Sequence, residues 1–169
     1  MNKKFLKMAC RIIFLQVLLI LINVRVHAQE MPPRPINLQL INNLSFGTLS
    51  QGSGGGTVTV YPSGTRTSTG DIILLNYGDM AHPAIFELDG NPGTIVHLLA
   101  GSFTTLNGNQ GGSLSMTYGD SDPVTPFILP ILNNGVLLIY LGGVLTVGSP
   151  LANPPGVYNG SFDVMFIQE

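Results

Sequence analysis

Two histidines, His82 and His97, are the side chains beyond the N-terminal segment that could act as a base near neutral pH. Serine hydrolysis would need such a base beside a nucleophile and an orienting acid. No serine here sits in a Gly-x-Ser-x-Gly elbow, His82 lies in the loop-like run Asp79-Met80-Ala81-His82-Pro83, and His97 stands between Val96 and Leu98 in strand-like sequence. Glu87 and Asp89 are two residues apart, which puts both carboxylates on one face of a strand rather than across a cleft as glycoside hydrolysis requires. Asp120 and Asp122 are hard-oxygen donors of the kind that bind calcium in extracellular loops, but neither a third acid nor a twelve-residue loop pattern accompanies them. The tract Gly52 to Gly56 has no following lysine and no helix behind it, so it reads as a mobile hairpin loop and not a phosphate cradle. Asn43-Leu44-Ser45 and Asn159-Gly160-Ser161 match the glycosylation triplet, a pattern that also arises by chance. The residues assemble no catalytic set, no cofactor site and no metal site, and the expected protein is not an enzyme.

The first 28 residues have the layout of a secretory signal. Lys3, Lys4, Lys7 and Arg11 precede an apolar run from Ile12 to Ile22 broken only by Gln16, and Val26-His27-Ala28 ends in small residues at the cleavage positions. That run is shorter than the roughly 20 residues a spanning helix needs, so no integral membrane association is expected after cleavage. Export to the periplasm, the cell surface or the extracellular space follows. The only cysteine, Cys10, lies in this segment, so the rest of the chain has no disulfide and must hold by packing alone. From Gln29 onward two arginines, Arg34 and Arg66, face nine acidic residues, a net charge of −7 with no lysine. Nucleic acid and anionic lipid are poor partners for such a surface.

The elements that would position any site are short strands. Gln29 to Pro35 is a Pro-rich extended leader, and a single domain is expected over residues 36–169. Ile36, Leu38 and Leu40 alternate with Asn37 and Gln39 as a half-buried strand. Thr57 to Tyr61, Ile72 to Leu75, Ala84 to Leu88, Thr94 to Leu99, the Leu114 and Met116 alternation, Val136 to Leu141 and Val144 to Val147 follow, separated by Gly, Asn and Pro turns. Tyr118 to Pro126 reads as a polar connection, and Phe127 to Leu132, with Pro130 inside, as an edge strand or a bulge. After the turn at Pro155-Gly156, the residues Tyr158, Gly160, Phe162, Val164 and Phe166 make one apolar face of a closing strand, with Asn159, Ser161 and Asp163 opposite. Eight to ten such strands, with no helical period and no exact repeat, predict an all-β sandwich.

Asn43-Leu44-Ser45-Phe46-Gly47, Val58-x-Val60-x-Pro62 with Gly64 and Arg66, Phe86-x-Leu88-x-Gly90-x-Pro92-Gly93, Gly143-x-Leu145-x-Val147-Gly148 and Pro155-Gly156-x-Tyr158-x-Gly160 occur in that order. Together they resemble the secreted bacterial domain-of-unknown-function 4402 family, itself similar to spore coat protein U and to archaic chaperone–usher pilins. The resemblance implies an immunoglobulin-like, pilin-like sandwich and a structural or adhesive role at the cell surface, with self-assembly, related subunits and a periplasmic chaperone as partners. Spore coat protein U and many fimbrial subunits use a disulfide to pin the N-terminal strand, a feature this chain lacks beyond its signal.

Two mechanisms fit these expectations. In one, Ile36, Leu38 and Leu40 are donated to a neighbouring subunit by β-strand addition. In the other, which the alternation suits equally and which is preferred, they form the first strand of their own sandwich. The alternative function is a monomeric glycan-binding module, for which Tyr61, Tyr77, Tyr118 and Tyr140 are the stacking candidates, Tyr77 and Tyr118 in loop-like sequence.

Overall fold

The computed structural model describes residues 34–169 and the single residue Gln16. The expected signal, residues 1–28, and residues 29–33 of the leader otherwise lie outside the described residues. Residues 34–169 form one unit. It is built from eleven strands: β1 (Asn37–Asn42), β2 (Leu49–Val60), β3 (Arg66–Leu74), β4 (Ala84–Asp89), β5 (Ile95–Ala100), β6 (Thr104–Gly108), β7 (Ser113–Asp122), β8 (Phe127–Ile128), β9 (Val136–Val147), β10 (Tyr158–Asn159) and β11 (Val164–Gln168). All pairings are antiparallel. Eight strands form the large sheet and β11-β5-β8 the small one, so the predicted all-β sandwich is the fold.

The long strand β9 organises the large sheet. One edge pairs with β7, while the other is shared by β4, opposite Val136–Leu141, and β2, opposite Gly143–Val147. Gly142 and Gly143, expected to lead from one strand to the next, therefore sit inside a single continuous strand at the handover. Both are buried. A Cβ on Gly142 would collide with the Val60 carbonyl, and one on Gly143 would stand 2.7 Å from Leu44 Cδ2. The Val60 backbone leaves room only for glycine at 142, whereas a side chain at 143 would require Leu44 to shift.

Two further expectations change in the same way. The Gly52–Gly56 tract belongs to β2 as a bulge: Gln51 pairs with Ile72 and Gly56 with Gly70, so the extra residues lie on β2. Gly55, at φ 64°, supplies the left-handed turn inside it. Asp120 and Asp122 do not lie in a loop either, since β7 runs on to Asp122, which pairs with Tyr140. Polar composition misled because this stretch is solvent-facing strand. The two-residue β8 pairs only with β5, as expected of a Pro-interrupted edge. Thr104–Gly108, which carries only one large apolar residue, is a strand without a clear alternating signature.

The core has two parts. Between the sheets, Phe86 and Leu88 of β4 and Ile139 and Leu141 of β9 meet Val96 and Leu98 of β5, together with Phe127 and Leu129. The Phe86 and Phe166 rings meet edge-on, 5.7 Å between centroids. Under the other half of the large sheet, Val58, Val60, Ile72, Leu114, Met116, Leu145 and Val147 form the second part with Phe46. Fully buried side chains such as Leu88, Met116, Leu129 and Ile139 each contribute roughly 1.5–3 kcal/mol. The small sheet contributes side chains to the first part only. The second is covered by partly buried side chains from Leu44 to Leu49 and by Tyr158 and Phe162.

Candidate interlayer groove

The predicted closing strand from Tyr158 to Phe166 is two strands in different sheets. Tyr158 and Asn159 pair with Gly108 and Asn107 in the large sheet, whereas Val164–Gln168 pair with Val96–Ala100 in the small one. The chain crosses between layers through Gly160–Asp163. Its alternation survives the crossing, because Tyr158 and Phe162 pack on the second core and Phe162, Val164 and Phe166 on the first. Period two reports which side chains point inward; it does not report which sheet receives the backbone bonds.

That crossing leaves a groove. Leu44–Gln51 form one wall, Pro154–Phe162 the other, and Leu106, Leu114, Met116, Leu145 and Val147 the apolar floor, enclosing about 620 Å³. The first wall is held from behind. Ser45 and His82 exchange backbone bonds at 2.9 and 3.0 Å, and Thr48 N–H donates to the Asp79 carbonyl. Arg66 donates from Nη1 to the Phe46 and Thr48 carbonyls, at 2.7 and 3.0 Å, and from Nη2 to the Leu75 carbonyl. Three carbonyls thus share the cation.

The second wall hangs from Asn153, the one buried polar residue among the described residues. Its Oδ1 accepts from Gly148 N–H and its Nδ2 donates to the Ser113 carbonyl, both at 2.6 Å. Gln51 Nε2 donates to the Asn153 carbonyl at 2.6 Å, joining the two walls at one end. Neither Arg66 nor Asn153 was singled out by motif reasoning for this role. Arg66 carried a signal, being one of only two cations after the N-terminal segment.

The other sequence candidates fall elsewhere. Ile36 packs against the first core, and Leu38 and Leu40 lie on β1, opposite Leu88 and Phe86 of β4. They share the inward face of those neighbours, yet remain 40% and 50% exposed, because the second layer stops short of β1. Arg34, in the expected extended leader, ties the chain before β1 to the Asp89 carboxylate and the Gly90 carbonyl, each at 2.6 Å. Asp89 is accordingly half of an ion pair. His97 Nε2 lies 3.0 Å from Glu169 Oε1 across the β5–β11 ladder, and His82 Nδ1 lies 3.1 Å from Asn42 Nδ2. The two histidines therefore serve separate local contacts.

Tyr118 is not in a loop but on β7, its hydroxyl donating to the Asp163 carbonyl at 2.9 Å and its ring edge-on to Phe162. Burial, with the Asp163 charge second, raises its pKa above the ordinary phenol value. Tyr140 is half-buried on β9, whereas Tyr77 is exposed in the segment between β3 and β4. Among the described residues no group of three or more His, Cys, Asp or Glu could hold a metal ion.

The architecture and groove define a two-sheet, all-β domain with an apolar-lined cavity beneath its irregular walls. The chain belongs to the family described as Domain of unknown function (DUF4402), which matches residues 36–167. No curated protein and no solved structure matches it.

Proposed function

We propose that this protein is an exported, non-catalytic structural or adhesive surface component, similar to archaic chaperone–usher pilins and spore coat protein U, whose groove receives an extended strand from another subunit. The observation that carries this reading is that the second part of the core is roofed by two irregular walls and not by a paired strand, so that a strand displacing part of this roof would gain main-chain bonds and bury alternate side chains. The donor is Ile36–Leu40 of a second copy or a related subunit. In its own chain β1 has one strand neighbour and keeps Leu38 and Leu40 half exposed, so of the donor's three apolar side chains only Ile36 leaves a core contact on release. A periplasmic chaperone would occupy the same groove before assembly.

The test is a disulfide between copies carrying Leu38→Cys and copies carrying Val157→Cys, since Val157 lines the groove wall and is exposed. Insertion predicts a mixed disulfide and an SDS-resistant ladder. Full chains that remain single and form no mixed disulfide would overturn it. A second reading, a monomeric glycan-binding module, is favoured by the exposed Tyr77 ring; glycan-array binding abolished by Tyr77→Ala would select it.

A further inference from the structure

The small sheet is apolar on both faces. Val96 and Leu98 of β5, Phe127 of β8 and Val164 and Phe166 of β11 pack inward. Ile95, Leu99, Ile128, Met165 and Ile167 point outward and are 40 to 64% exposed. The ladder makes them one patch, because Met165 stands opposite Leu99, Ile167 opposite His97, and Ile95 opposite Ile128. A sheet with one wet face alternates apolar and polar residues, whereas strands covered on both sides read as continuous apolar runs. Val164-Met165-Phe166-Ile167 is such a run, and Ile95-Val96-His97-Leu98-Leu99 is one broken only by His97.

We infer that this outer face packs against the same face of a second copy. Charge permits that occupant. Of the eight acidic residues from Arg34 onward, Asp163 and Glu169 share the outward side, one at each end of β11, and none lies among the five apolar side chains. Like charges would therefore meet at the margins of a paired face and not at its centre. With two arginines and no lysine after residue 33, the chain offers an anionic bilayer no basic rim. The area also suffices. The five side chains expose on the order of 500 Å² per copy, so pairing buries roughly 1,000 Å², the lower bound of a specific interface. The contact is a weak, concentration-dependent dimer, independent of the groove.

Sedimentation velocity of the full chain as its host exports it, from about 1 to 200 μM, tests this. The expected mass rises from one copy to two, and added salt tightens association by screening the acidic remainder. Leu99→Glu and Met165→Glu each weaken the dimer at least about thirtyfold, with unchanged circular dichroism and melting, since both side chains face solvent in the single copy. Leu138→Glu, at an exposed position of β9, leaves the dimer intact. Groove insertion, by contrast, would give ladders longer than two that survive Leu99→Glu. A single-copy mass throughout, or a dimer unmoved by both face variants, would overturn the inference. So would binding to neutral phosphatidylcholine vesicles that Leu99→Glu abolishes, which would assign the face to lipid.

Discussion

The Tyr118 ring meets Phe162 edge-on, 5.6 Å between centroids, at the point where the last part of the chain leaves the large sheet for the small one. The Tyr118 hydroxyl holds the Asp163 carbonyl one residue further on, so one side chain fixes both the packing and the backbone of the crossing. Tyr118→Phe keeps the ring and is expected to cost about 1 kcal/mol; Tyr118→Ala, which removes the aromatic pair, about 3 kcal/mol. The raised pKa adds a pH dependence. The folded state holds the phenolic proton more tightly than the unfolded chain, so this contribution is complete below the ordinary value near 10 and is lost as pH rises through the folded value. Urea midpoints at pH 7 and at about pH 11 should fall less in Tyr118→Phe than in the parent.

Gly160 begins the crossing in a narrow space. A Cβ there would stand 2.6 Å from the Thr105 carbonyl and 2.7 Å from Leu106 Cδ2. Gly160→Val is expected to cost about 2 kcal/mol and to displace the wall beside Leu106, detectable as faster amide exchange at Tyr158 and Asn159.

Arg66 gathers the carbonyls of Phe46, Thr48 and Leu75. Arg66→Gln should destabilise by about 2 kcal/mol, because a neutral amide lacks both the charge and the fork. Lysine presents a single ammonium in place of two separated nitrogens, so Arg66→Lys should recover less than half of the loss. Amide exchange at Leu75, whose N–H donates to Thr48, reads the loosening directly.

Asn153 donates and accepts from a buried position. Asn153→Ala should cost about 2–3 kcal/mol by leaving Gly148 N–H and the Ser113 carbonyl without their partner. Asn153→Asp should be worse at pH 7 than at about pH 4, because the carboxylate keeps the acceptor but sets a charge beside the Ser113 carbonyl. Chemical denaturation at the two pH values measures the difference.

Arg34 reaches Asp89 and Gly90 just before β1. Its ion pair is partly exposed, so Arg34→Ala should change global stability by less than about 1 kcal/mol. Local release of β1 is the larger effect: amide exchange over Asn37–Asn42 should accelerate several-fold while that of β9 stays constant.

The sandwich class was legible from alternation. Phe86-Leu88 and Phe162-Val164-Phe166 put inward side chains where the core has them, whereas of Ile36-Leu38-Leu40 only Ile36 packs on it. The groove was not. Its walls include Leu44–Gly47 and Pro154–Gly156, which show no strand period, and the residues that hold them, Arg66 and Asn153, act through backbone carbonyls and amides that carry no residue code.

Residue order by itself determined the strand periods, the acidic and lysine-free surface after the N-terminal segment, and the absence of a cysteine from that surface. These are local or additive properties, readable one position at a time. Only the tertiary structure decided that Gly142-Gly143 lies within a strand, that Tyr158 and Phe166 belong to different sheets, and that the crossing between them opens a groove. Backbone hydrogen bonds are chemically alike at every residue. Which edge a strand pairs with is therefore set by the packing of distant side chains, here Tyr118 on Phe162 and Phe86 on Phe166.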